Sequence, residues 1–337
     1  MLYHDTPLGK LSVMGLGCWN FGAQWNNKVT VDEAIKIIRY AIDNGINFVD
    51  VAETYGDPEG QCEQILGKAL KDGYREKVFL VSKVGWYGRR EKNHFTVKPS
   101  LYTRILRRVY NKLNHYKSVD LTGRTPELIR LCGHACCGRL NTSYIDLLLC
   151  HDGNPENPQA FIDGFRQLKT EGYIKQYGIS TDSYEVLKHF YELSNGECAA
   201  CECDYSILNR SAESHIFKYC IEKNIAILTR GSLCRGLLSG KYNLNTHFTE
   251  SSRSSWNKDG KDRSEYEALI SKIEKLKKEL KEERLTEVAY QYTFSRPEHP
   301  IIVIGCTSLN QIAENIKIGS EYMYSPQFDI VNKITAI

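Results

Sequence analysis

Residues 143–158 read SYIDLLLCHDGNPENP: an apolar run that ends in histidine and aspartate and gives way to a loop with two prolines. A short run without polar alternation suits a parallel strand covered on both faces. Within it, YIDLLLCH (144–151) is the strand, and seven further runs share its character. They are LSVMGLG (11–17), INFVDVA (46–52), KVFLVSKV (77–84), IKQYGIS (174–180), AACECDYS (199–206), IAILTRG (225–231) and IIVIGCT (301–307). Between them lie segments with an apolar period near 3.6, such as VDEAIKIIRYAIDN, CEQILGKAL, FIDGFRQLKTEG, YEVLKHFYELS and SHIFKYCIEKN. Eight β/α repeats predict an α/β fold, a single (β/α)8 TIM barrel, with a short N-terminal β-hairpin ahead of it. An open doubly wound sheet is the alternative, but no G-x-G-x-x-G follows the first strand.

The repeats predict one domain over residues 1–337, with a barrel core at about 13–319 and a C-terminal tail at 320–337. Two connections are long, residues 85–125 after the third strand and 241–262 after the seventh. Loops beyond about 15 residues in a compact domain are usually functional or mobile, and both leave the strand ends that carry active sites in barrels. Residues 86–126 hold ten Lys or Arg against two acids, including Arg107 and Arg108. This stretch is either a solvated helical face or an electropositive rim that draws an anionic substrate, and the sequence leaves both open. The second connection, KYNLNTHFTESSRSSWNKDGK, is rich in Ser and Asn and reads as flexible. The charged run ISKIEKLKKELKEERLTEVAYQY reads as a solvated barrel helix.

A net charge of +3 over 337 residues is too small to imply nucleic acid or a membrane surface as partner. No apolar stretch approaches the roughly 20 residues that cross a bilayer. The start, MLYHDTPLGKLSVMG, lacks the layout of a signal peptide, so a cytoplasmic protein is expected. Twelve scattered cysteines then read as free thiols. LCGHACCG, with Cys132, His134, Cys136 and Cys137, invites a zinc reading, but it lies inside the amphipathic pattern TPELIRLCGHACCGRL and holds no CxxC pair. No metal site is expected.

In a barrel the ends of all eight strands share one mouth. The second strand ends in Asp50, with Tyr55 a few residues on; the third ends in Lys83 and the fourth in His151. Such groups are costly to bury unless paired, and gathered at one mouth they can pair with each other. An ammonium about 4 Å from a phenol, at an effective dielectric near 20, favours the phenolate by roughly 4 kcal/mol before offsetting terms. That corresponds to at most about three pKa units, which would bring Tyr55 into the range useful for acid/base work. Asp50 would keep Lys83 charged, and His151 would hydrogen-bond a substrate oxygen. A tuned phenol beside a carbonyl suits carbonyl reduction, with the hydride drawn from a nicotinamide cofactor. Cys150 reads as barrel packing, and Asp152 as either a loop-start residue or a substrate contact.

The stretches GLGCWNFG, NFVDVAETYG, FLVSK, SYIDLLLCH, YIKQYGIS, DYSILNR, RGLLSGKY and VIGCTSLNQIAENI stand in order from residue 15 to 316. In them the chain resembles the aldo-keto reductase superfamily. The resemblance implies an NAD(P)H-dependent oxidoreductase that interconverts a carbonyl and an alcohol on a small polar, sugar-like or anionic molecule. Tyr55 would be the general acid/base, tuned by Asp50 and Lys83, with His151 orienting the carbonyl. Gly17, Cys18, Trp19 and Ser180 would lie near the nicotinamide. Ser232, Leu233 and Lys241 would lie along the pyrophosphate, and Gly305, Ser308, Gln311, Glu314 and Asn315 around the adenosine, with Thr181, Gly231 and Thr307 beside them. Family habit favours NADP(H) over NAD(H), with Lys241, Arg253 or Arg263 available for a 2′-phosphate. Three positions depart from the family pattern: Glu202 replaces a common Gln at the nicotinamide amide, Thr181 a frequent Asn, and Arg230 a stacking aromatic. Glu202 can accept from the amide but not donate to it, so one hydrogen bond is expected to be lost, and Arg230 is expected to pair with Glu202 or to stack. Two rival readings remain, an aldose dehydrogenase oxidising the anomeric carbon and a cofactor-binding regulatory subunit with little turnover.

Overall fold

All eight apolar runs form parallel strands, and the sheet closes on itself. The computed structural model describes residues 1–22, 29–85, 124–249, 253–322 and 326–335. A hairpin of β1 (Tyr3–Thr6) and β2 (Gly9–Ser12) comes first. The barrel follows as β3 (Met14–Gly17), β4 (Phe48–Asp50), β5 (Phe79–Val84), β6 (Ile145–Cys150), β7 (Ile174–Ser180), β8 (Cys198–Asp204), β9 (Ala226–Arg230) and β10 (Ile301–Gly305). Strand β10 pairs in parallel with both β9 and β3, which excludes the open sheet. The hairpin places Leu8 and Leu11 against Phe48, Val81, Leu147 and Ile301 inside the barrel, plugging it at the end opposite the mouth.

Helices α1 (Val31–Asp43), α2 (Gln61–Ala69), α3 (Pro126–Leu140), α4 (Pro158–Thr170), α5 (Tyr184–Leu193) and α6 (Ile216–Lys223) surround the strands. They are followed by α7 (Arg263–Leu280), α8 (Thr286–Phe294), α9 (Leu309–Ile318) and α10 (Gln327–Ile334). Helix α1 shows how local sequence sets these elements. Thr30 and Glu33 form a capping box, and Ala34, Ile37, Ile38, Ala41 and Ile42 make one buried stripe at helical spacing. In α3, Cys132, Cys136 and Cys137 are buried against the barrel, while His134 bonds Glu171 at 2.8 Å. All twelve cysteines are free thiols. Among the described residues no helix is long and apolar enough to cross a membrane.

Two expectations change. The described part of the 241–262 connection is packed rather than loose: Phe248 and Trp256 are buried, and Asn257 bonds both backbone groups of Phe248. The charged run at 270–292 is two helices instead of one solvated helix. The chain turns at Lys281 (φ 58°), and every residue of α8 except Glu287 is buried, so charge at its start masked the apolar end. The tail contributes α10, where Asn332 accepts from the Tyr292 hydroxyl at 2.6 Å. The basic stretch of the third connection falls on residues 86–123, outside the described residues.

Gly178 lies where the β7–β8 register shifts, between Tyr177 and Ile179. A Cβ there would stand 2.2 Å from the Ala200 carbonyl oxygen, and backbone cannot step aside as a side chain can. Gly178→Ala is expected to cost about 1–3 kcal/mol and lower Tm by about 1–4 °C in a thermal melt; an unchanged Tm would contradict this packing.

Candidate active site

Alternate side chains of a strand face the barrel interior. Phe48, Val81, Leu149, Ala200 and Leu228 belong to the apolar layer inside it. Two residues further along the same faces stand Asp50, Lys83, His151, Glu202 and Arg230. The strand period therefore stacks a charged layer on an apolar one. Nothing below it can solvate those charges, so they must satisfy one another.

The centre is Lys83, which has no exposed surface. Its Nζ donates to Asp50 Oδ1 at 2.5 Å and Oδ2 at 2.6 Å, and Glu202 Oε2 lies 3.2 Å away. Burial alone would lower the lysine, but Asp50 and Glu202 hold its pKa well above the usual value. Burial also acts on Asp50: against the pull of Lys83 and with the push of Glu202, the carboxyl is pushed up to about 7.

Tyr55 lies in the turn after β4, with Lys83 Nζ 5.4 Å from its ring centroid, His151 edge-on at 5.8 Å and Trp19 at 6.3 Å. The phenol departs from expectation. Burial raises its pKa above the ordinary value, and the opposing pull of Lys83 is blunted by the charges of Asp50 and Glu202. Two acidic side chains already crowd the ammonium, so the acidification foreseen from an isolated lysine is not realised here. Burial, then Lys83 and Arg230, bring the His151 imidazole down to about 3, so it is neutral over the physiological range.

Glu202 and Arg230 also correct their expected pairing. Glu202 turns inward to Lys83. Arg230 instead bonds Asp182 at 2.7 Å and Asp204 at 3.5 Å, two acids whose part in the mouth the sequence reading missed. Their spacing carried a signal: Asp204 is in register with Arg230 on the neighbouring strand. Glu53, also missed, is buried and accepts from the Gly85 N–H at 2.7 Å, anchoring the end of β5. Asp152 caps its own loop through Asn154 N at 3.2 Å, and Cys150 is fully buried.

Strand register puts several of the proposed cofactor residues on one rim: Gly17 pairs with Asp50 and with Gly305, and Ser180 with Glu202. Cys18 is buried and Trp19 exposed at the start of the following turn. Thr181 instead uses its hydroxyl on the Gly153 carbonyl at 2.7 Å. Two features suit an anionic dinucleotide. Ser232 Oγ is buried without a partner, next to Gly231, whose left-handed backbone (φ +78°) leaves no room for a Cβ beside Asp204. Helix α9 begins at the rim with Ser308 as its cap, and Gln311 folds back onto Thr307; helix N-termini favour phosphate. Asn315 is buried in α9 and Leu233 partly buried. Glu314 is engaged by Arg284 at 3.0 Å, and Arg263 by Glu267 at 2.7 Å. Lys241 is exposed, and Arg253 bonds the Tyr242 hydroxyl at 2.6 Å.

The sequence model of the Aldo/keto reductase family matches residues 13–336. The aldo-keto reductase YhdN of Bacillus subtilis (strain 168) is 28% identical over 316 residues, covering 91% of this chain and 85% of that protein. The NADH-specific methylglyoxal reductase of Escherichia coli (strain K12) is 31% identical over 247 residues, 69% of this chain and 68% of its own. The holo form of an aldo-keto reductase from Bacillus halodurans has a TM-score of 0.73 at 25% identity, covering 100% of this chain and 98% of that one.

A neutral His151 has a direct signature. Its folded pKa is about 3 against 6.5 for the free group, so it costs stability as pH falls from 6.5 toward 3 and nothing above. In imidazole NMR spectra, the resonance assigned by its loss in His151→Asn should stay neutral down to about pH 5; a midpoint near 6.5 would contradict the desolvated site.

Proposed function

The chain belongs to the aldo/keto reductase family, NAD(P)-dependent oxidoreductases of carbonyl and alcohol groups, and on that premise we propose that Tyr55 is its proton donor and acceptor. The observation that carries the reading is the buried Lys83, paired with Asp50 and 5.4 Å from the Tyr55 ring centroid. When the phenol gives up its proton the negative charge forms beside a fixed, fully buried cation. His151, neutral and edge-on to Tyr55, donates a hydrogen bond to the substrate oxygen and orients the carbonyl. A bound nicotinamide supplies or takes the hydride. Asp50 keeps Lys83 charged and in place.

The substrate proposed is a small polar aldehyde or ketone. Arg230, Asp182 and Asp204 give the mouth a polar wall, and Trp19 gives it an exposed aromatic face. Methylglyoxal reductases among the relatives agree with that size and polarity. NADP(H) is the proposed cofactor, on the strength of Arg253 and the exposed Arg235 and Lys241 on the segment after β9, where Arg253 bonds the Arg235 carbonyl at 3.3 Å.

Two measurements check this. With a panel of small oxo compounds, Tyr55→Phe should lower kcat/KM by about 100-fold or more while cofactor binding, followed by fluorescence, changes little; a variant that retains wild-type turnover sinks the assignment. Titrations with NADP+ and NAD+ should give a Kd about 10-fold or more in favour of NADP+, one extra charge-assisted contact being worth that much. Equal constants would remove the 2′-phosphate role.

A further inference from the structure

Lys83 is held by more negative charge than it can balance. One ammonium faces Asp50 at 2.5 and 2.6 Å and Glu202 at 3.2 Å, and none of the three side chains is more than 3% exposed. With all three ionised the group carries a net −1. The nearby cation, Arg230, is already divided between Asp182 and Asp204. Among the described residues, the other titratable groups around it are Tyr55, Cys18 and the neutral His151. A buried unbalanced charge is costly, so the two carboxyls hold one proton between them until the solution is basic enough to remove it.

We propose that Glu202 is a positioning residue: with Asp50 it clasps Lys83, and the single proton shared by the two carboxyls sets how much of the ammonium's charge reaches Tyr55. This rests on Tyr55 being the proton donor. In the reduction its O–H bond breaks as a new O–H forms on the carbonyl oxygen, the carbon takes a hydride from the reduced nicotinamide, and solvent later returns the proton to the phenolate. While the carboxyl pair keeps its proton, Lys83 is balanced by one charge and the phenolate forms beside a net neutral group. Once that proton leaves, the extra negative charge opposes the phenolate. Reduction is therefore gated near neutrality by the carboxyl pair rather than by Tyr55 itself, and the alkaline onset of alcohol oxidation is displaced upward.

The test uses the full chain with and without cofactor. The folded pKa of Asp50, pushed up to about 7, lies above its unfolded value, so the stabilisation it contributes is complete at low pH and lost as pH rises through neutrality. Thermal melts of ligand-free wild type, Glu202→Gln and Asp50→Asn should show wild type losing about 5 °C relative to either variant between about pH 5 and pH 9. Either carboxyl suffices for the comparison, should one variant fold poorly. In steady-state profiles, the decline of wild-type reduction through neutrality should be absent in Glu202→Gln, and its oxidation limb should begin about one pH unit lower. Melting curves that run parallel with pH, or a Glu202→Gln profile that keeps the neutral decline, would overturn the proposal. If wild type reduces no carbonyl at all, the catalytic reading of Tyr55 fails, and the melting curves alone decide the shared proton.

Discussion

A lysine ammonium with no contact with water, standing on an apolar floor, is the constraint around which this barrel mouth is organised. Removing such a charge from solvent costs several kcal/mol, recovered only where the geometry and hydrogen bonds are good. Lys83 recovers it through Asp50 and Glu202. The side chains that answer it come from different strands, so only the closed sheet holds them together. Loss of Lys83, or of both carboxyls together, would leave an unmatched charge in the centre of the fold, which ties the chemistry of the mouth to the stability of the whole.

The same arrangement explains why the phenol is not a strong acid in the ligand-free site. A bare ammonium at about 4 Å would favour phenolate by roughly 4 kcal/mol, but desolvation works against that pull, and so does the negative charge that Asp50 and Glu202 carry between them. The site is therefore poised rather than ionised. His151 is kept neutral by burial and by the cations around it, which leaves it free to donate to an oxygen without carrying charge.

The barrel was legible because its strands are short, continuous and apolar, and because helical periods alternate with them. The strand endings at Asp50, Lys83 and His151 were legible for the same reason: polar groups that finish an apolar run must meet somewhere. The inward turn of Glu202 was not read, although it follows Ala200 at the strand period just as Lys83 follows Val81. The expected pairing of Arg230 with Glu202 fails because its partners, Asp182 and Asp204, lie in a loop and at a strand end whose neighbours only the barrel register reveals. The helix break at Lys281 was hidden by a charged run that continues smoothly across it.

The distribution of protons in the mouth is where this account is most exposed. Neutron diffraction from ligand-free crystals at about pH 6, below the raised carboxyl midpoint, would locate them directly. The account predicts three hydrogens on Lys83 Nζ, an intact Tyr55 hydroxyl and one hydrogen between the carboxyls of Asp50 and Glu202. A neutral Lys83, or two fully ionised carboxylates at that pH, would contradict it.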